Sequence, residues 1–329
     1  MKGSGTLSVL WPDANRHRYN VARHYSIWGI YWTEMKEEIK HFIEYLQQEK
    51  HASKNTQVSY GRDLMRMAEY MEETGIMEPG KVTKTALNSY TLSLEKEGKS
   101  AATVSRNLAS IKAFFHFEFK NGVIKKDPAE GLRAPKIERR APMILTIDEV
   151  SRLLSEPGNG TAKEMRDKAM LELLYATGIR VSELIHLRMD DINIPVGFIT
   201  CRDEHKERIV PFGRVARDTV LEYLEKARGE LLKGDHSEWL FINCNGRAMS
   251  RQGFWKIIKY YGKKAGIEED ITPHTLRHSF AVHLLGNGAD IKAVQTMMGH
   301  ADLATTQMYA AYAGNNALRE AYQGAHPRT

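Results

Sequence analysis

A basic segment that contains several prolines divides this chain into two parts. Prolines stand at positions 128, 135 and 142, with arginine and lysine residues between them. Because proline lacks the amide proton of a helix bond and holds the preceding residue extended, no helix can run through this segment. We therefore predict a first domain over residues 35–132, a linker over residues 133–143 and a second domain with a C-terminal tail over residues 144–329.

The first 34 residues differ from both domains. They show neither helical nor strand periodicity, and an amphipathic helical pattern begins only at Met35. We interpret residues 1–34 as an appendage, and we expect Met35 to be the natural start of the protein. An intact mass of the native protein that matches all 329 residues would contradict this expectation.

The first domain has the apolar pattern of four helices. Apolar residues recur every three or four positions from residue 36 to a break at residues 51–55, and again over residues 56–73, 83–97 and 100–120. Gly75 and Gly98 follow two of these stretches, as expected of residues that end helices. Four helices with short connections predict a small helical bundle.

The second domain is predicted to be rich in helix, with a small β-hairpin. Thr146 and Glu149 have the spacing of a capping box, and a helix over residues 161–176 is closed by Gly178. Residues 197–201 and 207–211 resemble two short strands, joined by a charged turn over residues 202–206. Helical sequence resumes at residue 214, so the chain as a whole is mainly α.

Composition restricts the class of protein without identifying it. A mean hydropathy of −0.47 and 27% charged residues are typical of a soluble globular protein. No apolar run approaches the roughly 18 residues of a membrane helix, and only two cysteines, Cys201 and Cys244, occur. We therefore expect a cytoplasmic protein without a membrane partner. The net charge of +6 is compatible with a polyanionic partner but does not require one.

Two motifs suit the binding of an anion. Arg180 follows a glycine and opens a helix, where its guanidinium can meet an anion, although an ordinary surface arginine fits the same pattern. His274 and Arg277 follow Pro273 on one helical face and could grip a phosphate together. His274 and His278 also have a spacing known from metal ligands. Because no glutamate lies between them and no third ligand is evident, we expect no metal.

Two further motifs are weak when taken singly. His300 follows Gly299 at the end of a helix, where a histidine is usually structural. Tyr309 lies in a helix, where a tyrosine usually packs, and Tyr312 is an equally good packing residue.

The order of the four motifs is more informative than any one of them. An arginine is followed about a hundred residues later by His-x-x-Arg, then by Gly-His, and then by a tyrosine nine positions after that histidine. This order resembles that of the tyrosine recombinases, also called the phage integrase family, and within them the Xer-like recombinases. The resemblance includes residues 176–187, 206–213, 272–285 and 298–309 and the layout of a helical bundle followed by a linker.

The resemblance implies a fold and a mechanism. The first domain would be a SAM-like, core DNA-binding bundle of four helices, and the second would be the catalytic domain. Tyr309 would attack a DNA phosphate and form a 3′-phosphotyrosyl bond without any cofactor, since that bond conserves the phosphodiester energy. Arg180, Arg277 and His300 would stabilise the charge of the phosphorane, and His274 would accept or relay the tyrosine proton. Glu183 would orient this network, although a solvated helix carboxylate is an equal alternative.

One departure from the family pattern concerns the hairpin. The family usually carries a catalytic lysine in this turn, and alignment on Lys206-Glu207-Arg208 places Asp203 at its position. An aspartate cannot serve as an ammonium acid beside a phosphate. We predict that Lys206 donates the proton to the 5′-hydroxyl leaving group, because Arg202 is a poor proton donor.

Further implications concern DNA and partner proteins. The bundle would face duplex DNA with basic side chains, and residues 103–112 would form the helix that faces a groove. These candidates, each of which also fits a solvated face, are Lys54, Arg62, Arg66, Lys99, Arg106 and Lys112. A short amphipathic patch over residues 315–322 would dock into a neighbouring subunit, or else be a frayed tail.

The implied assembly is a homo- or hetero-tetramer on two duplexes. A second Xer-like recombinase and a DNA translocase are candidate partners. The role would be chromosome dimer resolution or movement of a genetic element, and the compact length favours the former. The alternatives are a type IB topoisomerase-like enzyme and a DNA-binding architectural protein weakened in catalysis, the latter suggested by Asp203.

Overall fold

The computed structural model describes residues 33–136, 141–203, 206–234 and 236–325. The appendage proposed for residues 1–34 therefore lies outside the described residues, apart from its last two. The chain divides into two compact units between residues 139 and 140.

The first unit is a bundle of helices. They are α1 (Glu34–Gln48), α2 (Lys54–Glu73), α3 (Lys84–Lys96) and α4 (Ala101–Lys120), with a 3-10 turn at Pro79–Lys81. The hydroxyls of Ser53, Thr83 and Ser100 each accept the backbone N–H of the third residue of the helix that follows. Such caps satisfy amide groups that the first turn leaves without a partner. The four helices predicted for this region are therefore confirmed.

The core of the first unit is mainly aliphatic, with an aromatic cluster between α1 and α4. Phe42 of α1 meets Phe114 of α4 edge to face, with 5.7 Å between the ring centroids, and both side chains are buried. Burial of such a ring contributes about 1.5–3 kcal/mol. A polar link also joins α2 to α4, because the buried carboxylate of Asp63 accepts two 2.8 Å hydrogen bonds from Arg106.

The second unit surrounds a larger apolar core and carries a small sheet. Its helices are α5 (Ile147–Ser155), α6 (Ala162–Thr177), α7 (Val181–Ile185), α8 (Arg214–Glu222), α9 (Arg228–Leu232), α10 (Arg251–Lys264), α11 (Pro273–Gly286), α12 (Ile291–Met298) and α13 (Leu303–Ala325). The capping box predicted at Thr146 and Glu149 is present. The prediction of a mainly α protein with a small β element is confirmed.

The sheet is antiparallel, in the order β1 (Ile192–Asn193), β2 (Phe198–Asp203) and β3 (Lys206–Pro211). The predicted strands are too short, since β2 and β3 extend into the charged segment and leave only residues 204–205, outside the described residues, between them. Arg202 and Glu207 face each other across the strands with Nε and Oε2 3.4 Å apart, which supports the longer pairing. The third strand escaped prediction because two residues show no alternation.

A membrane-spanning helix and a metal-binding cluster are both absent from the described part of the chain. No helix in the described ranges is long and apolar enough to cross a membrane. Among these same residues, no group of three or more His, Cys, Asp or Glu is arranged to hold a metal ion.

Candidate active site

Arg180 lies at the sharp turn between α6 and α7. Gly178 ends α6 with φ of 60°, and a Cβ there would lie 2.1 Å from the Phe280 ring, so only glycine fits. Arg180 then caps α7, with its backbone N–H donating to Glu183 at 2.6 Å. Its side chain is 39% exposed, so part of the guanidinium remains open to a ligand.

Arg277 lies on α11, buried among backbone carbonyl groups. It donates to the carbonyl oxygens of Gly178 and Met298 and to Nε2 of His300. Burial, followed by the charge of Arg180, lowers its pKa to about 10. Arg277 therefore stays charged at neutral pH and ties the ends of α6 and α12 together.

Three arginines meet the last turn of α12. Three successive carbonyl oxygens each accept a guanidinium hydrogen bond, with Met297 bonded to Arg208 at 3.0 Å, Met298 to Arg277 at 2.5 Å and Gly299 to Arg180 at 2.6 Å. A helix C-terminus carries partial negative charge, which offsets part of the repulsion among the arginines. The turn that precedes His300 is thus fixed by residues from three other elements.

His300 has a defined protonation state in this arrangement. Its Nε2 lies 3.1 Å from Nη2 of Arg277, which can only donate, so Nε2 accepts and the proton resides on Nδ1. Nδ1 then donates to the hydroxyl of the buried Thr306 at 2.9 Å. Burial, followed by the charges of Arg277 and Arg180, lowers the pKa of His300 to about 4, consistent with a neutral ring. Donation to a phosphate, as the sequence suggested, requires the proton on Nε2 instead.

Tyr309 lies on α13 with its hydroxyl against a histidine of α11. The hydroxyl is 2.7 Å from Nδ1 of His278, and the Tyr309 side chain is buried. Burial raises the pKa of Tyr309 and lowers that of His278 to about 4, so the phenol O–H donates to a neutral imidazole. The ring of His300 stacks 6.1 Å from that of Tyr309.

The histidine at this hydroxyl is His278, whereas sequence reasoning assigned the tyrosine proton to His274. Both lie on one face of α11, but His278 stands one turn further along, where that face meets α13. His274 is exposed, and its ring centroid lies 6.2 Å from that of His278. The sequence did place His278 beside His274, but only as half of a metal-ligand spacing.

Glu183 bridges two of the arginines. Each of its oxygens lies 2.8 Å from a nitrogen of Arg208, and Oε1 also accepts from Arg180 at 3.1 Å. Burial alone would raise its pKa, but the hydrogen bonds and charge of Arg208, followed by those of Arg180, hold that pKa below the ordinary value. The carboxylate is therefore ionised and orients Arg180, and Arg208 is a contributor that sequence reasoning missed.

A cleft of about 750 Å³ opens beside Arg180. Its wall includes the side chains of Ser182, Arg188, Arg202 and Trp239. Mixed hydroxyl, guanidinium and aromatic groups suit an anionic chain with apolar parts. The acidic side chains of Glu183 and Asp191 also line the cleft, and Asp191 pairs with Arg202.

The remaining predicted residues lie elsewhere. Lys206 pairs with Asp203 across the hairpin in backbone register, and the side chains of both lie outside the described residues. In the first unit Arg106 is bonded to Asp63, and Lys99 lies 3.5 Å from Glu97. Exposed positions on α2 and α4 hold the other four candidates, Lys54, Arg62, Arg66 and Lys112. Residues 315–322 fall within α13, but their side chains are outside the description.

Comparison with known proteins gives this geometry its context. The phage integrase family model matches residues 143–315, and the phage integrase N-terminal SAM-like domain model matches residues 39–122. A tyrosine recombinase XerD from Oceanobacillus iheyensis is 45% identical over 295 residues, which cover 88% of this chain and 98% of that protein. A tyrosine recombinase XerD from Listeria monocytogenes is 42% identical over 297 residues, covering 89% and 100% respectively.

Solved structures share the fold. A XerH site-specific recombinase bound to a palindromic difH substrate gives a TM-score of 0.68 at 19% identity, over 88% of this chain and 90% of that one. A lambda integrase dimer bound to a COC′ core site gives 0.66 at 17% identity, over 83% and 94%. The resemblance inferred from the order of the motifs is confirmed. The chain belongs to the phage integrase family and is a tyrosine site-specific recombinase of the Xer type.

Proposed function

We propose that this recombinase cleaves and rejoins DNA through a 3′-phosphotyrosyl bond on Tyr309. The observation that carries the proposal is the convergence of Tyr309, Arg180, Arg277 and His300 around the last turn of α12. Elements distant in sequence meet there, and the charge of Arg277 acts on the Tyr309 hydroxyl. DNA as the partner is supported by related recombinases solved on their substrates, including a Tn1549 integrase in complex with a circular intermediate DNA.

The chemistry assigns a role to each group. The Tyr309 oxygen attacks the phosphorus and its proton leaves, while the bond to the 5′ oxygen breaks and that oxygen takes a proton. Lys206 supplies this second proton, in the role predicted from the sequence. Arg180 and Arg277 stabilise the charge on the non-bridging oxygens, which is the largest single effect in most phosphoryl transfers. The reverse attack by another 5′-hydroxyl rejoins the strand.

The proton of Tyr309 needs an acceptor. The hydrogen bond to neutral His278 is the route that the geometry offers first, with His274 beside it on α11. For His300 to donate to the phosphate, its proton moves from Nδ1 to Nε2 and Arg277 releases Nε2. These assignments extend the family mechanism to the particular residues of this chain.

We further propose that both units bind the duplex. Residues 35–132 would form the core-binding domain and residues 144–329 the catalytic domain, joined by a linker over residues 133–143. Exposed basic residues of the first unit, Lys54, Arg62, Arg66 and Lys112, support phosphate contacts, which make affinity sensitive to salt. The protein would act in the cytoplasm as a tetramer on two duplexes, with a second Xer-like recombinase and a DNA translocase as candidate partners.

A covalent trap tests the proposal. DNA that is covalently bound to the protein in cells is recovered and its attached ends are sequenced, and a nicked duplex with that sequence is then built. Wild-type protein should form an adduct that Tyr309→Phe abolishes, whereas Tyr312→Phe should keep it. An adduct that persists in Tyr309→Phe would show that another residue is the nucleophile. If the wild-type protein forms no adduct, the proposal of an active enzyme is contradicted. Relaxation of one supercoiled molecule without exchange between sites would favour a topoisomerase.

A further inference from the structure

We propose that Arg208 is a positioning residue, which holds Arg180 and the turn before His300 in place for the scissile phosphate. The inference rests on the proposed function, since it concerns how the same site meets its phosphate. Arg208 acts through its neighbours, because its guanidinium is bonded to Glu183 and to the carbonyl of Met297.

The contact with Glu183 is a two-point fork. Nη1 and Nη2 of Arg208 donate to Oε1 and Oε2 at 2.8 Å each, and the side chains of Arg208 and Glu183 are only 13% and 12% exposed. Two parallel charged hydrogen bonds fix both the position and the plane of a carboxylate. A lysine keeps the charge at this position but cannot make the fork.

The oriented carboxylate in turn holds Arg180. Glu183 accepts the backbone N–H of Arg180 at 2.6 Å and its Nη1 at 3.1 Å, which leaves Nη2 to reach the carbonyl of Gly299. Without Arg208, a mostly buried carboxylate would keep Arg180 as its main partner and would draw that guanidinium towards itself. Arg180 would then offer less charge to a phosphate.

The other end of Arg208 packs against the turn before His300. A Cβ on Gly299 would lie 2.8 Å from Cζ and Nη1 of Arg208, and the φ of Gly299 is 64°. Only a glycine at this position lets the guanidinium lie against the backbone, while Nε donates to Met297 at 3.0 Å. The same side chain thus supports Arg180 on one side and the backbone of His300 on the other.

Arg208 also anchors the hairpin. It stands on β3 opposite Cys201 and two residues after Lys206, which begins the strand. The strand that leads out of the hairpin turn is therefore fixed to the phosphate-binding arginines at this point. Loss of the fork would therefore release the Arg180 guanidinium from its position and would also release the base of the hairpin.

The charge of the phosphate provides the test. Single-turnover cleavage is measured on the nicked duplex recovered from cells, once with its normal scissile phosphate and once with a methylphosphonate, which lacks the negative charge. Arg208→Lys should slow cleavage of the normal phosphate by about 10- to 100-fold, within the range seen when a donor to a transition-state charge is lost. On the methylphosphonate the loss should shrink to about threefold or less, because Arg180 no longer needs to neutralise a charge.

Comparison variants separate positioning from folding. In an Arg180→Ala background, Arg208→Lys should add less than about threefold, because residues that act as a unit are not additive. Glu183→Gln breaks the same fork from the other side and should show the same phosphate-specific loss, which keeps the test valid if Arg208→Lys fails to fold. Arg214→Lys, at a position 85% exposed on α8, should cleave like the wild type.

Two results would overturn the inference. An equal loss on both phosphates, for both variants, means that Arg208 merely maintains the fold. An unchanged rate with Arg208→Lys and Glu183→Gln means that the fork plays no part in the reaction. If the wild-type protein forms no adduct on Tyr309, the proposed function is contradicted rather than the role of Arg208. This outcome is seen before any variant is compared.

Discussion

The hydroxyl of Tyr309 donates to Nδ1 of His278 over 2.7 Å, which joins α13 to α11 at the centre of the candidate site. Both partners are in the protonation state that this bond requires, because burial keeps the phenol protonated and the imidazole neutral. We therefore expect the bond to contribute to stability as well as to the chemistry proposed for the tyrosine.

A double-mutant cycle should reveal this bond as coupling in the free energy of unfolding. His278→Ala leaves a buried phenol without an acceptor and should cost about 1–3 kcal/mol, whereas Tyr309→Phe in the same protein should recover part of that loss. We expect a coupling of about 1 kcal/mol in urea unfolding of the full chain. The pair His278→Ala and Tyr260→Phe, whose tyrosine is exposed on α10, should be additive. Additivity of the first pair as well would show that the bond adds nothing to stability.

The sequence predicted those features of the site that are local. The caps and the glycine ends of helices each depend on a few neighbouring residues. Arg180, Arg277, His300 and Tyr309 were predicted from the order of separate motifs, which resembles that of a known family. The missed contributors, Arg208, His278 and Thr306, act through contacts between separate elements. Arg208 meets Glu183 across 25 residues of sequence, and Arg180 meets Gly299 across 119, distances at which periodicity carries no information.

Two of the missed residues, Arg208 and His278, belong to sequence motifs that were interpreted in another way. Arg208 belongs to the Lys206-Glu207-Arg208 motif, which sequence reasoning used only to align the lysine. His278 directly follows Arg277 and shares a helix face with His274, but that spacing was weighed only for a metal. A partly polar face on an otherwise apolar helix such as α11 indicates a network to be completed by other elements, although it does not name them.

Gly178→Ala should disrupt the catalytic unit. A methyl group there meets the Phe280 ring at 2.1 Å and also forces an alanine into a left-handed conformation. We expect a loss of about 2–4 kcal/mol in the free energy of unfolding, the sum of overpacking and backbone strain. Cleavage should fall as well, because the Gly178 carbonyl accepts from Arg277. Gly266→Ala is the matched control, since Gly266 has φ of 67° with open space around it and should lose only about 1 kcal/mol. Equal losses at both glycines would contradict the steric argument.

Glu118 should make the first unit less stable as pH rises. This residue of α4 is fully buried, and among the described residues neither carboxyl oxygen finds a hydrogen-bond partner. Burial, followed by the charges of Glu38 and Glu34, raises the pKa of Glu118 to about 8 from 4.5. The folded unit therefore keeps a proton that the unfolded chain releases between these values. The contribution of Glu118 to stability is therefore fully present below pH 4.5 and declines as pH rises to about 8, by at most about 1.4 kcal/mol per pH unit.

Replacement of Glu118 by methionine tests this dependence. Glu118→Met removes the titrating group, so it should stabilise the first unit more at pH 8 than at pH 5, by roughly 2–4 kcal/mol. Amide hydrogen exchange of peptides from α4 measures the stability of this unit within the full chain. Glu95→Met, at an exposed position of α3, should give the same small effect at both pH values. A gain from Glu118→Met that does not change with pH would mean that the carboxyl is already ionised when buried.

Lys206, two residues before Arg208 on β3, is the residue predicted to protonate the leaving group. An alkoxide leaves a phosphate poorly unless it is protonated, whereas a thiolate leaves without a proton. Lys206→Ala should therefore slow cleavage of a normal 5′ oxygen by about 10²–10⁴-fold, the usual contribution of a general acid. It should cleave a substrate with sulfur at the bridging 5′ position at nearly the wild-type rate. Lys206→Arg should not restore the oxygen substrate, because a guanidinium stays protonated.

The wild-type protein itself distinguishes Lys206 from the alternative raised by Asp203. If Lys206 donates the proton, the sulfur substrate should give the wild type little advantage over the oxygen substrate. If the chain lacks an effective acid, wild-type cleavage of oxygen should be slow, sulfur should accelerate it strongly, and Lys206→Ala should change neither rate. Asp203→Lys, which restores the family residue directly opposite Lys206 in the hairpin register, should then raise cleavage of the oxygen substrate. The general acid is identified by the ratio of the cleavage rates of the sulfur and oxygen substrates in the wild type, Lys206→Ala and Asp203→Lys. Sulfur makes protonation of the leaving group unnecessary, so the ratio reports on that step.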